Sequence, residues 1–278
     1  MIAMAGALDA PRATSGRAEH VTGRFDPIAL DALVATAELM TRLDRKYLVP
    51  EPDALELLSG LNPRTRVLEI DGVRGFAYDS VYFDTEDHLS YRLTAQKRRR
   101  RFKLRTRTYL DTGTAFLELK TKNGRGRTVK DRLPYLPDDR ATLTPEGRAY
   151  LAGLLLGHAH DPRLVERLRP ALVSRYRRTT LLLPCGSRAT VDTDLRWGSA
   201  DQQRGLGLAG HVIIETKSAG GLSELDHALW RAGHRPTGIS KFGAGTAALY
   251  PSLPRNKWGR ALRVFPAPSH ASDDWSFS

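Results

Sequence analysis

One cysteine, Cys185, stands in 278 residues. That excludes an internal disulfide framework and a zinc site built from several thiolates, and it suits an intracellular location. Long apolar runs are missing too. The best, "YLAGLLLG" from Tyr150 to Gly157, falls far short of the roughly 20 residues that a membrane-spanning helix needs, so a soluble chain is expected. The opening "MIAMAGALDAPRATSG" has neither a charged start nor a sustained apolar stretch, so no secretory signal is expected. The eight histidines are scattered without metal-ligand spacing. "GRGRTVK" holds glycines but not the P-loop pattern. Internal repeats and low-complexity blocks are also lacking.

Acidic residues are scarce relative to basic ones. Lys and Arg number 43 against 31 Asp and Glu, a formal net charge of +12. An excess of that size points to a polyanionic partner: nucleic acid, polyphosphate, nucleotide or an acidic membrane surface. Composition does not choose among them. Hydrophobic residues make up 41%, enough for a core.

The pattern predicts a single domain over 23–251, with a flexible tail at 1–22 and another, rich in Pro and Ser, at 252–278. "DPIALDALVATAELM" has helical spacing and opens on Asp-Pro, a cap followed by proline in the first turn. "PDALELLSGL", "TPEGRAYLAGLLLG" and "LSELDHALWRAG" are also expected as helices, the last with Leu222, Leu225, Leu229 and Trp230 as its apolar stripe. "GFAYDSVYFDT", "RRFKLRTRTYL", "TAFLELKTK", "RTVKDRLPY", "SRYRRTTLLL", "SRATVDTDLRW" and "GHVIIETKS" are rich in β-formers and bounded mostly by turn residues, so they are expected as strands. "LDTGTA" suits a tight hairpin. Seven or eight strands with few helices predict an α+β fold around a closed antiparallel β-barrel, because an open sheet leaves edges to protect.

Charges fall on these strands at every second position, and alternate residues share a face. In "FKLRTRTY", Lys103, Arg105 and Arg107 point one way. Glu118, Lys120 and Lys122 share a face with Phe116; Lys130 goes with Thr128 and Arg132, and Tyr176 with Arg178. Arg188, Thr190, Asp192 and Asp194 share a face, as do Ile213, Glu215 and Lys217. A solvated outer face explains any one strand. Across the set, cations far outnumber the carboxylates that would pair them, and a barrel turning these faces inward would focus a positive field fit for a chain of phosphates. "KRRRRFK", Lys97 to Lys103, is either a patch for nucleic acid or acidic membrane, or an outlying collector of the anionic product.

"DRKYLV", "YFDT", "KLRTRTY", "FLELK", "RYRRT", "RATVDTDL", "IIETK" and "SKFG", in that order, make the chain resemble the VTC domain, the polyphosphate polymerase branch of the triphosphate tunnel superfamily, over about 24–250. The resemblance implies a tunnel-shaped antiparallel barrel that holds a polyphosphate or nucleoside triphosphate. By position it implies Arg105, Arg107, Arg178, Lys217 and Lys241 as catalytic cations. It implies phosphate contacts from Lys46, Lys120, Lys130, Tyr176, Arg188 and Ser240, and a divalent metal, Mn²⁺ or Mg²⁺, on Glu215. Asp192 and Glu118 are either further metal ligands or partners of the arginines. The superfamily's first-strand E-x-E-x-K reads Arg42-x-Asp44-x-Lys46 here, which weakens a hydrolytic reading.

The implied activity is transfer of the γ-phosphoryl of ATP to a growing polyphosphate chain. The alternatives are hydrolysis of tripolyphosphate or nucleoside triphosphates on the same fold, and polyphosphate binding without catalysis. ATP and inorganic polyphosphate are the expected partners, with no nucleic acid required. The expected location is cytoplasmic, with a membrane-protein partner at the inner face of the membrane compatible with the resemblance.

Overall fold

The structure, a computed structural model, describes residues 10–37, 43–122 and 128–270. In chain order its elements are α1 (Ala10–Thr22), β1 (Asp26–Ile28), α2 (Leu30–Ala37), β2 (Leu43–Pro50), α3 (Glu51–Ser59), β3 (Arg66–Leu68), β4 (Gly75–Asp84), α4 (Leu89–Ala95), β5 (Phe102–Tyr109), β6 (Thr114–Lys122), β7 (Thr128–Tyr135), α5 (Pro145–Gly157), α6 (Leu164–Arg167), β8 (Arg169–Leu182), β9 (Arg188–Ser199), β10 (Gly205–Gly207), β11 (His211–Ser218), α7 (Glu224–Arg231), α8 (Lys241–Leu249) and α9 (Gly259–Leu262). The class is α+β with a large antiparallel sheet, as expected. Contacts divide the chain into two compact units, one of Met1–Phe76, Tyr176–Leu195 and Leu208–Ile239, the other of Ala77–Arg175, Arg196–Gly207 and Ser240–Ser278.

In the first unit the strands run in the order β2-β11-β9-β8. Val49, Val191, Val212, Ile214 and Tyr47 lie on one face of this sheet, packed with Ala54 and Leu58 of α3 and Leu225 and Leu229 of α7. The other face carries the charges. α7 is fixed by a capping box in which Ser223 and Asp226 satisfy each other's backbone. Asp226 is fully buried and also accepts the hydroxyls of Tyr47 and Thr216, each at 2.6 Å. Burial alone would raise its pKa, but these hydrogen bonds and those from Ser223 lower it. Asp226→Ala would orphan two buried hydroxyls and a cap, and it is expected to cost about 3 kcal/mol in urea unfolding. A loss below about 1 kcal/mol would show that the network is dispensable.

In the second unit the order is β8-β4-β5-β6-β7. Val81, Phe83, Leu104, Leu117 and Leu119 face a core completed by Leu151 and Leu155 of α5. α5, expected as a helix, opens with Thr144 accepting the Gly147 N–H and Pro145 in the first turn. β5 and β6 pair as the expected hairpin, and Gly113 takes φ +63° in its turn, where a side chain would be strained. Gly243 on α8 is required for space, since a Cβ there would overlap the Trp258 ring.

Three details depart from the sequence reading. The ladder is open: among the described residues β2 pairs only with β11 and β7 only with β6. The Thr237 N–H covers part of β2's outer edge by donating to the Lys46 carbonyl, and β7 guards its own edge with Lys130, Arg132 and Pro134. Asp26 and Pro27 do not cap a helix; they form β1 in parallel register with β3, which buries Ile28, and α2 begins only at Leu30. Trp230 lies at the rim of its helix stripe, half-exposed, with its indole N–H donating to the Tyr47 hydroxyl.

Residues 10–22, placed in a tail by composition, form α1, with Ala18 and Thr22 buried and Thr14 donating to Glu51. Near the other terminus Trp258 is buried and stacks on Tyr91 at 5.2 Å between centroids. The tail expectations for 1–9 and 271–278, the helical reading of 38–40, the "GRGR" segment and Arg42 lie outside the described residues. Among the described residues no helix is long and apolar enough to cross a membrane.

Candidate functional site

In the first unit, register places Lys46 opposite Glu215, and Glu215 opposite Thr190. One step along, Lys217 stands opposite both Asp44 and Arg188. Directly opposed residues share a face, so Lys46, Glu215, Lys217, Arg188 and Asp192 gather on the side of the sheet away from α3 and α7. Glu215 lies between two ammonium groups, 3.5 Å from Lys46 and 3.4 Å from Lys217. Burial pushes its carboxyl up, but Lys46, Lys217 and Arg178 outweigh that and bring its pKa down to about 2. Lys217 is itself lowered, first by burial and then by Arg178 and Arg188. Arg178 grips Asp192 with two bonds, 2.6 and 2.9 Å long, and its guanidinium lies over the buried Tyr176 ring.

A second charged face stands in the other unit. Arg105 pairs in register with Tyr82 on one side and Glu118 on the other, and Glu118 with Arg132. Lys103, Lys120 and Lys130 form a transverse row one step along. Glu118 is only 1% exposed and Arg105 8%. Their carboxylate–guanidinium contacts are 2.8 Å through Nε and 2.6 Å through a terminal nitrogen, and Lys130 reaches the other oxygen at 2.5 Å. Burial opposes the charge on Glu118, yet Arg105, Arg107 and Lys130 hold its carboxyl well below the usual range. Aromatic rings back the cations: Tyr82 behind Arg105, Tyr78 behind Arg107, Phe116 behind Arg132 and Phe242 behind Lys103.

The expected residues therefore fall into two groups, each described in its own unit. Lys46, Tyr176, Arg178, Arg188, Glu215 and Lys217 belong to the first. Arg105, Arg107, Lys120, Lys130, Ser240 and Lys241 belong to the second. Ser240 caps α8 by accepting the Gly243 N–H, and the Lys241 carbonyl accepts the Trp197 indole. Of the two readings left open for Asp192 and Glu118, the arrangement gives ion pairing with arginine.

The rings of Tyr78 and Tyr82, which back Arg107 and Arg105, were not singled out, although both share a period-two face in "AYDSVYFD" with Ser80. Asp84 was also missed. It accepts the Thr85, Ser90 and Tyr91 N–H groups and so ties β4 to α4, and burial pushes its carboxyl up to about 6.

Among the described residues no three His, Cys, Asp or Glu side chains are grouped to hold a metal ion. Glu215 supplies one ionised oxygen donor, which fits a hard divalent cation that brings its remaining oxygens from phosphate and water.

The VTC domain model matches residues 41–250. No curated protein matches the chain at a significant level. Among solved structures, a Hippeastrum protein described as having a dominant triphosphatase activity is 18% identical, with 78% of this chain and 99% of that one covered at a TM-score of 0.46. A conserved hypothetical protein from Pyrococcus furiosus is 13% identical, with 69% and 88% covered at a TM-score of 0.36. The family assignment rests on the domain match alone.

Proposed function

The chain belongs to the VTC domain family, and on that premise we propose that it is a polyphosphate polymerase, moving the γ-phosphoryl of ATP onto a growing inorganic polyphosphate chain. The observation that carries this reading is the burial of the carboxylates that the cations of these faces hold. Glu118 and Asp192 are each 1% exposed and held by arginine, and Glu215 lies between two lysines. A solvated outer face would show neither this burial nor this concentration of cations.

Phosphoryl transfer needs alignment and charge neutralisation more than covalent chemistry. In this reading Arg105, Arg107 and Arg178 meet phosphate oxygens with planar forks, and Lys217 and Lys241 add point charges. Lys46, Lys120, Lys130, Arg188 and Ser240 hold the rest of the chain. Tyr176, implied as a phosphate contact, is fully buried with the Arg178 guanidinium over its ring, so in this reading it keeps Arg178 in place. The attacking end of polyphosphate is already anionic, so no side chain need remove a proton. A divalent cation, Mn²⁺ or Mg²⁺, carried in on the phosphate oxygens would take Glu215 as its protein ligand and withdraw charge from the transferred group. The proposal treats 23–251 as one catalytic module in the cytoplasm, with the product passing to a membrane-protein partner.

Incubation of the purified protein with ATP and Mn²⁺ is expected to give a ladder of long phosphate chains on a polyacrylamide gel. Orthophosphate without a ladder would replace the proposal with triphosphate hydrolysis. Binding of polyphosphate without turnover would reduce it to a binding module.

A further inference from the structure

Lys97 to Arg101, the leading part of "KRRRRFK", is not used by the site just described. From His88 to Leu110 the sequence holds nine Lys or Arg and no Asp or Glu. Lys97 to Arg100 form an exposed turn after α4, and Arg101, half-buried, leads into β5. The turn is built, not frayed. The Arg98 N–H donates to the Leu93 carbonyl, Arg101 donates a guanidinium N–H to the Arg98 carbonyl, and Lys257 donates to the Thr94 carbonyl. Lys257 has its pKa lowered by burial and then by Arg101 and Lys97, which places all three cations in one field.

This turn runs straight into the charged strand face. Arg101, Lys103, Arg105 and Arg107 alternate along the chain, about 6.6 Å apart from one to the next where the backbone is extended. Lys103 opens the transverse row with Lys120 and Lys130. A linear polyanion lying on Arg105 and Lys103 would therefore meet the turn next. No aromatic residue stands among Lys97 to Arg101 to stack a base, and no apolar residue among them to enter a bilayer. Both absences favour a chain of bare phosphates over a nucleic acid or a lipid surface.

We propose that the turn Lys97–Arg101, with Lys257, is an outer docking site for inorganic polyphosphate, engaging the length of chain that extends beyond the strand face. The inference rests on the polyphosphate reading of that face. It makes affinity depend on chain length: long chains reach the turn, and tripolyphosphate does not.

The test is a triple variant, Arg98→Ala, Arg99→Ala and Arg100→Ala, all at exposed positions outside the core. Binding of long-chain polyphosphate and of tripolyphosphate is measured over a salt series. Long-chain affinity is expected to fall about tenfold or more, and its log–log salt slope to flatten by roughly 2. Tripolyphosphate affinity is expected to stay unchanged. Unchanged affinity for long chains, or an equal loss for both ligands, would overturn the proposal. Vesicles rich in phosphatidylserine and a single-stranded RNA serve as the other arms. If the variant loses either of these and keeps long-chain polyphosphate, the turn belongs to that partner instead. If the unaltered protein binds neither phosphate ligand, the parent reading fails, a result distinct from failure of the turn alone.

Discussion

Glu215→Gln is expected to lower ATP-dependent polyphosphate formation by about 100-fold or more, while polyphosphate binding persists or tightens. The substitution keeps shape and removes charge. The carboxylate is ionised throughout the neutral range, with a pKa near 2, because Lys46 and Lys217 flank it. An uncharged amide neutralises neither ammonium and is a poor ligand for a hard cation. The face therefore becomes more attractive to a polyanion and less able to arrange charge around a transferring phosphoryl group. Initial rates at saturating ATP, beside direct binding of polyphosphate, separate the two effects. Turnover equal to that of the unaltered protein would remove Glu215 from the mechanism, and loss of binding would show that its role is structural.

Glu118→Ala should be the most destabilising single change on the second charged face, costing about 3–5 kcal/mol in urea unfolding, because it strands the buried Arg105 charge. The Tyr82 hydroxyl, 3.3 Å from Arg105, offers only a neutral acceptor in exchange. In the folded protein Glu118 stands where an anion is wanted. Added tripolyphosphate should then stabilise the variant more than the unaltered protein, since the ligand replaces the missing carboxylate. A loss below about 1 kcal/mol would mean that Arg105 finds other compensation. A full loss without differential rescue would mean that phosphate does not reach this face.

Much of this was legible from residue order. Period-two alternation placed Lys103, Arg105 and Arg107 on one face and Leu104 on the other, and the ladders keep that division. The segments "TPEGRAYLAGLLLG" and "LSELDHALWRAG" were legible as helices, and the caps that start them, Thr144 and Ser223, act over only a few residues. The hairpin at Gly113 was equally local. Asp26-Pro27 failed as a cap signal because a distant strand, Arg66–Leu68, offered backbone pairing that no neighbouring residue announces.

The sequence by itself determined which side chains share a strand face, the excess of positive charge, and membership of the VTC family through motifs in fixed order. Only the tertiary structure decided which carboxylate answers which cation. Arg178 meets Asp192 across 14 residues and Arg105 meets Glu118 across 13, and the fold likewise brings the Tyr47 hydroxyl to Asp226 across 179. It also decided that Arg105, Glu118 and Asp192 are buried and that, among the described residues, β2 pairs only with β11 and β7 only with β6. The reason is physical. Alternation follows from the geometry of one extended chain, whereas register, burial and edge pairing depend on which strands meet, and that is set by packing between segments far apart in the chain.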